Sequence, residues 1–254
     1  MSNKLLWIGC AVLTVVLLMV LAIVLFVWLS GKPVPAPIIP REQQTLGSGP
    51  AKTYVVMGDS TAIGQGAAYK DSYAVATAQY LAKSYTVTFS NTGVSAARAK
   101  DVLENQVAKA VELKPDIVLL AVGANDAKNF TSGSRYTDAM LQIVTKLKAA
   151  NCTVQIIVTG SPAMDSVSRF PIGAKQVMAL RTKQINTALQ PVLAKDYVHF
   201  APIAEKTRQV FLDDHSLTAA DKFHPNARGY ALWTPVITEV MDSILERSDN
   251  PACN

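Results

Sequence analysis

Ser60 lies just beyond the end of an apolar run, and other residues of the chain could activate it for acyl transfer. The run stops at Gly58, and the Gly-rich segment "GDSTAIGQG" follows. A serine hydroxyl is a weak nucleophile that needs an adjacent base. His224, in "DKFHPN", is a candidate base, and Asp221, three residues earlier, can bind its second imidazole nitrogen. Ser60, His224 and Asp221 are therefore predicted to form a catalytic triad.

Acyl transfer also needs hydrogen-bond donors aimed at the oxygen that becomes negatively charged. The candidates are the backbone N–H of Ser60, the backbone N–H of Gly93 in "NTGVS" and the side-chain amide of Asn125 in "GAND". Glycine lets the backbone approach a ligand closely, and asparagine donates through its amide where an aspartate only accepts. These three groups are predicted to form an oxyanion hole.

Each motif also has a plainer interpretation. "GDS" is a common turn sequence, "GAND" can join a strand to a loop, and "DKFHPN" can begin a helix with Asn226 as its cap. The motifs occur in order, however, and each stands where a parallel sheet would present it. This conjunction favours the catalytic interpretation.

Other serine and histidine side chains compete for the same roles. Ser95, in "GVSAA", has the same Gly-x-Ser-x-Ala spacing as the first motif, but it is more typical of a turn or helix start. His199 lies within a short predicted strand and is expected to pack, whereas His215 is expected at the surface. A triad of His215 with Asp213 or Asp214 is the alternative assignment.

Apolar runs alternate with amphipathic segments beyond residue 52. The predicted strands are 53–57, 86–90, 116–122, 153–159 and 197–200. The predicted helices are 72–83, 100–113, 136–149, 177–194 and 227–247. This alternation indicates an α/β fold with a parallel sheet between helices. Ligands of such sheets bind beyond the carboxyl ends of the strands, where Ser60 lies.

The motifs resemble those of the SGNH hydrolases, also called the GDSL esterase/lipase family, over roughly residues 53–247. The family's Ser, Gly, Asn and His blocks, and the Asp three residues before the His, match in order Ser60, Gly93, Asn125, His224 and Asp221. The resemblance implies a flavodoxin-like three-layer α/β/α sandwich and a serine ester hydrolase that forms an acyl-enzyme. It implies no metal or organic cofactor.

One residue departs from the family pattern, since Thr61 stands where the family name implies Leu; this common variation does not touch the chemistry. A non-catalytic binding module with the same fold is the competing hypothesis, and it would be expected to lack a site residue, yet none is missing. A nucleotide-binding domain would need a phosphate loop, and "GDSTAIGQG" has neither Gly-x-Gly-x-x-Gly nor Walker spacing.

The substrate is less closely defined than the reaction. The resemblance implies lipid acyl esters or O-acetylated glycans among other esters. The loop 160–175 is expected to border the site, and Met164, Phe170 and Ile172 are candidates to line an acyl pocket. Their alternative role is to anchor a long loop.

Residues 5–29 form an apolar stretch without a charge. A bilayer core requires about 20 such residues as a helix, so the stretch predicts a single-pass membrane anchor. A cleaved signal peptide is the alternative, although its apolar region is usually only about 7–15 residues long. The very short segment before the stretch favours a catalytic domain outside the cytoplasm.

The predicted organisation is an N-terminal tail and anchor (1–30), a Pro-rich linker (31–52), a catalytic domain (53–247) and a C-terminal tail (248–254). Cys152 and Cys253 either pair in an oxidising compartment or remain apart as a buried residue and a tail thiol. The net charge of +5 without a basic cluster argues against nucleic acid as a partner. It favours weak attraction to anionic lipid headgroups.

Overall fold

A six-stranded sheet organises the chain in the computed structural model, which describes residues 2–29, 31–40 and 42–247. Its strands are β1 Gln44–Leu46, β2 Ala51–Gly58, β3 Thr86–Asn91, β4 Ile117–Ala121, β5 Gln155–Val158 and β6 Val198–Phe200. Their spatial order is β1-β3-β2-β4-β5-β6. Strands β2 to β6 pair in parallel, and β1 runs antiparallel to β3. The predicted parallel α/β sheet is confirmed.

The central strands are buried on both faces. Every residue of β4 is buried, and so is the carboxyl-terminal part of β2 from Tyr54 onwards. Such continuous apolar runs are typical of parallel strands covered by helices on each side. Gly58 pairs with Ala121, so β2 and β4 end at the same level of the sheet.

Helices cover the sheet on both faces. The helices of the described residues are, in chain order, α1 Ser2–Leu29, which lies outside both cores, α2 Tyr73–Leu81, α3 Ala99–Asn105, α4 Val107–Glu112, α5 Ala124–Lys128, α6 Gly133–Ala150, α7 Ile172–Thr187, α8 Gln190–Leu193, α9 Ile203–Asp213 and α10 Ala227–Arg247. One apolar core joins α3, α4, α6 and α7 to the sheet, and a second joins α2, α9 and α10 to its other face. The result is the predicted three-layer α/β/α sandwich.

Several helices differ from the predicted ones. The segment 100–113 forms two helices, α3 and α4, because Gln106 between them turns its side chain onto the backbone of Gly58. The segment 177–194 is helical from Ile172 and breaks before α8, in whose first turn Pro191 needs no backbone N–H. Helices α5 and α9 were not predicted. Helix α5 has only five residues, too few for a periodic pattern, and Thr207 interrupts the apolar face of α9.

The sheet begins before the predicted domain boundary at residue 53. Strand β1 lies within the predicted linker 31–52, and β2 starts at Ala51. Leu46 packs against the core, and Thr45 pairs with Thr88 of β3, so this part of the segment is sheet rather than linker. The predicted C-terminal tail, 248–254, lies outside the described residues.

Helix α1 contains a 19-residue window, Trp7–Leu25, with a mean hydropathy of 3.1, and none of this window is buried inside the molecule. It is the one helix among the described residues long and apolar enough to cross a membrane, and a signal sequence meets the same criteria. The segment that follows contacts the folded part: the Lys32 N–H donates to Ala220 O at 3.0 Å. Gln65 Nε2 donates to Val34 O at 2.9 Å.

Cys152 is disulfide-bonded, and Cys10 in α1 is free and exposed. Cys253, the third cysteine of the sequence, lies outside the described residues.

Candidate active site

Three neighbouring strands bring the predicted motifs to one edge of the sheet. Ser60 follows the end of β2, Gly93 follows β3, and Asn125 lies in α5, directly beyond β4. Because β3, β2 and β4 are adjacent and parallel, their carboxyl ends meet at this edge. His224 reaches the same edge on the loop that precedes α10.

The turn before Ser60 is fixed by contacts with buried backbone and side-chain groups. Gly58 has a φ of 144°, and a side chain there would overlap the carbonyl of Ala121, so only glycine fits. Gln106 is buried; it accepts a hydrogen bond from Gly58 N–H at 2.9 Å and donates one to Gly58 O at 2.8 Å. Hydrogen bonds therefore hold both the N–H and the C=O of Gly58, two residues before the candidate nucleophile.

Asp59 stabilises the other side of the same turn. One of its carboxylate oxygens accepts hydrogen bonds from the N–H and the hydroxyl of Thr61, both at 2.8 Å. Thr61 thus contributes a hydroxyl where the family name implies Leu. Burial raises the pKa of Asp59 to about 6, although the hydrogen bonds from Thr61 act in the opposite direction.

The predicted triad residues form a continuous chain of hydrogen bonds. Ser60 Oγ lies 2.9 Å from His224 Nε2, and His224 Nδ1 lies 2.6 Å from Asp221 Oδ2. An ionised carboxylate only accepts hydrogen bonds, so Nδ1 carries the proton and Nε2 is left to accept from the Ser60 hydroxyl. All three side chains are buried. This is the arrangement that a histidine base requires.

The loop that carries His224 is closed by Asp221 itself. Asp221 Oδ1 accepts the N–H groups of Phe223 at 2.9 Å and of His224 at 3.0 Å. Burial tends to raise the pKa of Asp221, but the hydrogen bonds from the His224 side chain and these two N–H groups hold it below its ordinary value. Asp221 therefore remains a carboxylate that can orient the imidazole.

Two of the residues predicted to supply oxyanion donors line the same cavity. Ser60 and Asn125 both line the cavity above the triad. Within the described part of the chain, no hydrogen bond occupies the Ser60 N–H. Asn125 Nδ2 donates to Ala97 O at 3.2 Å, which orients the amide and leaves its second N–H available.

Gly93 differs from its predicted arrangement. Its N–H donates to Asn91 Oδ1 at 3.0 Å, so this donor is already occupied. The space beside the glycine is taken by Ala62 and Ile63 rather than left open for a ligand. Asn91 also donates to Ala62 O at 2.8 Å, and it thereby ties the end of β3 to the segment after Ser60.

Four residues that support the site were not predicted: Asp59, Asn91, Gln106 and Asp126. Asp126 Oδ2 accepts the Ala99 N–H at 3.0 Å and so joins the "GAND" turn to the start of α3. The sequence does indicate that Gln106 is buried, since this polar residue falls on the apolar face of the predicted helix 100–113. Asn91 and Asp126 stand beside motif residues, and only the tertiary structure reveals what they bind.

The competing residues lie elsewhere or bind other groups. Ser95 is exposed at the rim of the cavity, and its hydroxyl donates to Gln65 Oε1 at 2.6 Å. His215 is at the surface, as predicted, and its neighbour Asp214 accepts hydrogen bonds from Ser216. His199 is half-buried in β6 and bonds to Gln155 at 2.7 Å.

Residues 56–232 match the GDSL-like Lipase/Acylhydrolase family. The matched region contains every residue of the predicted triad and oxyanion hole. The chain belongs to this family. It is accordingly a carboxylic ester hydrolase. No curated protein sequence matches the chain.

Solved structures of similar fold include a lipase/acylhydrolase from Enterococcus faecalis, with 19% identity, a TM-score of 0.61 and coverage of 79% of this chain and 100% of that one. The phospholipase A1 from Streptomyces albidoflavus NA297 has 19% identity, a TM-score of 0.57 and coverage of 75% and 99%. A two-domain esterase active on acetylated mannans has 18% identity, a TM-score of 0.59 and coverage of 80% and 52%. These likenesses show the shared fold.

In this GDSL-family chain, a cavity of about 690 Å³ opens above Ser60. Phe170, a candidate for the acyl pocket, lines this cavity together with Phe223. Met164 is buried and lines a narrower cavity on the other side of His224. Ile172 begins α7, and its side chain lies outside the described part of the structure.

Replacing Asp59 by asparagine should change how stability depends on pH. The pKa of Asp59 is about 6 in the fold, against an ordinary value of 3.8, so the unfolded chain ionises first as the pH rises. The contribution of Asp59 to stability is therefore lost as the pH rises from about 4 to about 6, whereas the amide of the Asp59→Asn variant still accepts from Thr61 and does not titrate. The free energy of unfolding of Asp59→Asn relative to wild type should rise on the order of 3 kcal/mol across this window.

Urea unfolding of both proteins at several pH values measures this difference. A difference between Asp59→Asn and wild type that stays constant with pH would contradict the explanation.

Proposed function

We propose that this hydrolase cleaves carboxylic esters with Ser60 as the nucleophile, His224 as the general base and Asp221 as the group that orients His224. The observation that carries the proposal is the pair of hydrogen bonds at 2.9 Å and 2.6 Å that joins the three side chains. Both distances are within the range required for proton transfer and for imidazole orientation.

Acylation begins when Ser60 Oγ attacks the ester carbonyl carbon and His224 Nε2 takes the hydroxyl proton. Asp221 stabilises the imidazolium that forms. The carbonyl oxygen becomes an oxyanion, which accepts hydrogen bonds from the Ser60 N–H and the Asn125 amide. The imidazolium then protonates the leaving alkoxide oxygen as the C–O bond breaks, and an acyl group remains on Ser60.

Deacylation repeats these steps with water. His224 accepts a proton from a water molecule, whose oxygen attacks the acyl carbonyl. The second oxyanion uses the same donors. Ser60 Oγ leaves, regains its proton from His224, and the carboxylic acid is released.

Gly93 is a third donor only if its N–H leaves Asn91 Oδ1 and donates to the oxyanion instead. The present hydrogen bond to Asn91 Oδ1 is 3.0 Å long. We therefore assign the oxyanion first to Ser60 and Asn125, with Gly93 joining after that exchange.

Lipid acyl esters are the substrate class that the cavity favours. Phe170 and Phe223 pack edge to face, with ring centroids 6.0 Å apart, and supply an aromatic wall for an acyl chain. The fold is shared with a phospholipase A1 and also with an esterase active on acetylated mannans, so O-acetylated glycans are the second candidate. A series of esters of increasing acyl length separates the two classes.

We further propose that α1 anchors the enzyme in a membrane with the catalytic domain outside the cytoplasm. The window Trp7–Leu25 is long enough to span a bilayer and has no buried face in the molecule. The disulfide bond of Cys152 is typical of an oxidising, extracytoplasmic compartment.

The assignment of the nucleophile predicts covalent labelling of Ser60 by a fluorophosphonate. Ser60→Ala should abolish labelling because it removes the only hydroxyl bonded to His224 among the described residues. Ser95→Ala is the matched control, since Ser95 lines the same cavity, and it should label normally. Labelling that survives Ser60→Ala and disappears in Ser95→Ala would show that Ser95, not Ser60, is the nucleophile.

The oxyanion role of Asn125 predicts a loss of turnover rather than of affinity. Asn125→Ala should lower kcat by about 10²–10³, or ~2.7–4 kcal/mol, because the lost hydrogen bond is strongest in the transition state. Asn125→Asp should be at least as slow, since a carboxylate repels the oxyanion. Fluorophosphonate labelling of both variants verifies that the triad is intact. Near-wild-type kcat in Asn125→Asp would rule out the role.

The proposed topology predicts that protease added to intact cells removes the catalytic domain and leaves the α1 segment in the membrane. Immunoblotting of the membrane fraction measures the shift to a short fragment, with a cytoplasmic protein as the control for intact cells. Full protection, with digestion only after lysis, would reverse the topology. A chain recovered in the medium without residues 1–30 would identify a signal peptide instead.

A further inference from the structure

Two basic side chains, Lys128 and Arg169, line the mouth of the cavity above Ser60. Lys128 is the last residue of α5, the helix that carries Asn125. Arg169 lies on the loop before α7, and its backbone N–H donates to Lys222 O at 2.9 Å. Lys128 therefore shares a helix with Asn125, and Arg169 is hydrogen-bonded to the loop that carries His224.

Neither of these two charges is in contact with an opposite charge among the residues that the structure describes. Asp221, the acidic side chain that lines the cavity, is bonded to His224. Burial lowers the pKa of Lys128, while Asp59 acts to raise it and the nearby positive charge of Arg169 adds to the lowering. An anion between Lys128 and Arg169 would favour the charged state of Lys128.

Apolar and aromatic side chains line the cavity beside the two cations. The Lys128 ammonium lies over the Phe223 ring, 5.5 Å from its centroid, and Phe170 packs against the same ring. Pro171 and Ala96 complete this wall. A site that joins two cations to an aromatic wall fits an amphiphile with a negative group next to a hydrocarbon chain.

The cavity also lies close to the end of α1. Helix α1 ends at Leu29, and the backbone of Gly31 packs so tightly against Asp221 that a side chain at residue 31 would overlap it. Ala22 and Ile23 of α1 line the cavity itself. Two residues of extended chain cover only about 7 Å, so a membrane-spanning α1 would hold the mouth at the level of the lipid headgroups.

We propose that Lys128 and Arg169 bind the phosphate of an anionic phospholipid ester at the membrane surface and so place its acyl carbonyl at Ser60. The inference rests on the proposed ester hydrolase function and names its substrate class. Lysine and arginine both donate charge-assisted hydrogen bonds to phosphate oxygens, and arginine can do so with two N–H groups. The acyl chain then packs on Phe170 and Phe223.

The test compares two soluble esters with the same acyl group, 1-octanoyl-glycerophosphoglycerol and 1-octanoyl-glycerol, which differ in the phosphate-containing group. The full chain is assayed in neutral detergent, and the readout is the ratio of kcat/KM for the anionic ester to that for the neutral ester. A ratio is used because it is insensitive to a partial loss of folded enzyme.

The wild-type ratio should be on the order of 100, and Lys128→Gln and Arg169→Gln should each lower it roughly 10-fold, through KM for the anionic ester. The double variant should approach a ratio of about one, and Lys128→Arg should retain most of the preference. Lys206→Gln is the matched control, an exposed lysine on α9 away from the cavity, and it should leave the ratio unchanged.

A wild-type ratio near one that the variants do not change would overturn the assignment of Lys128 and Arg169, while hydrolysis of both esters would leave the proposed function standing. Equal rates for wild type and Ser60→Ala would instead remove the proposed function and this inference with it. Inorganic phosphate should inhibit only weakly, because it lacks the acyl chain. Inhibition by phosphate alone at concentrations that match the KM of the anionic ester would assign the two cations to free phosphate.

Discussion

The hydrogen bond between Ser60 Oγ and His224 Nε2 is the interaction on which the site depends, and it joins residues 164 positions apart. No local sequence preference can form it. It requires β2 to lie in the middle of the sheet, between β3 and β4, and the loop before α10 to return to the same edge. The two apolar cores that fix the helices on each face of the sheet are therefore also what sets the distance between nucleophile and base.

Within that frame, short-range contacts hold each reacting group in one orientation. Gln106 binds both backbone groups of Gly58, Asp59 binds Thr61 on the far side of Ser60, and Asp221 binds two N–H groups of its own loop. Most buried polar groups in folded proteins are hydrogen-bonded, and these bonds both satisfy the polar groups of the turns and orient the side chains. These hydrogen bonds lie where the proposed chemistry needs fixed distances, and the cavity lies on the side from which substrate would enter.

Much of this arrangement could be predicted from sequence. The alternation of apolar runs and helices indicated a parallel sheet, and the rule for ligands at strand ends brought Ser60 and Asn125 to one edge. Hydrogen-bond partners were harder to predict, because they depend on distances in the tertiary structure. Nothing in "NTGVS" shows that Asn91 occupies the Gly93 N–H, and nothing in the local sequence brings Arg169 to the same cavity as Lys128. Strand β1 was missed because three residues are too few for a periodic pattern.

The most direct test of the account is a double-mutant cycle on kcat for a simple ester, with Ser60→Ala, His224→Ala and the double variant. Residues that act as one catalytic unit are strongly non-additive, so the double variant should be no slower than either single variant. The residual rate in all three would come from the oxyanion donors and from binding. Losses that multiply in the double variant would show that Ser60 and His224 act independently and would contradict the account.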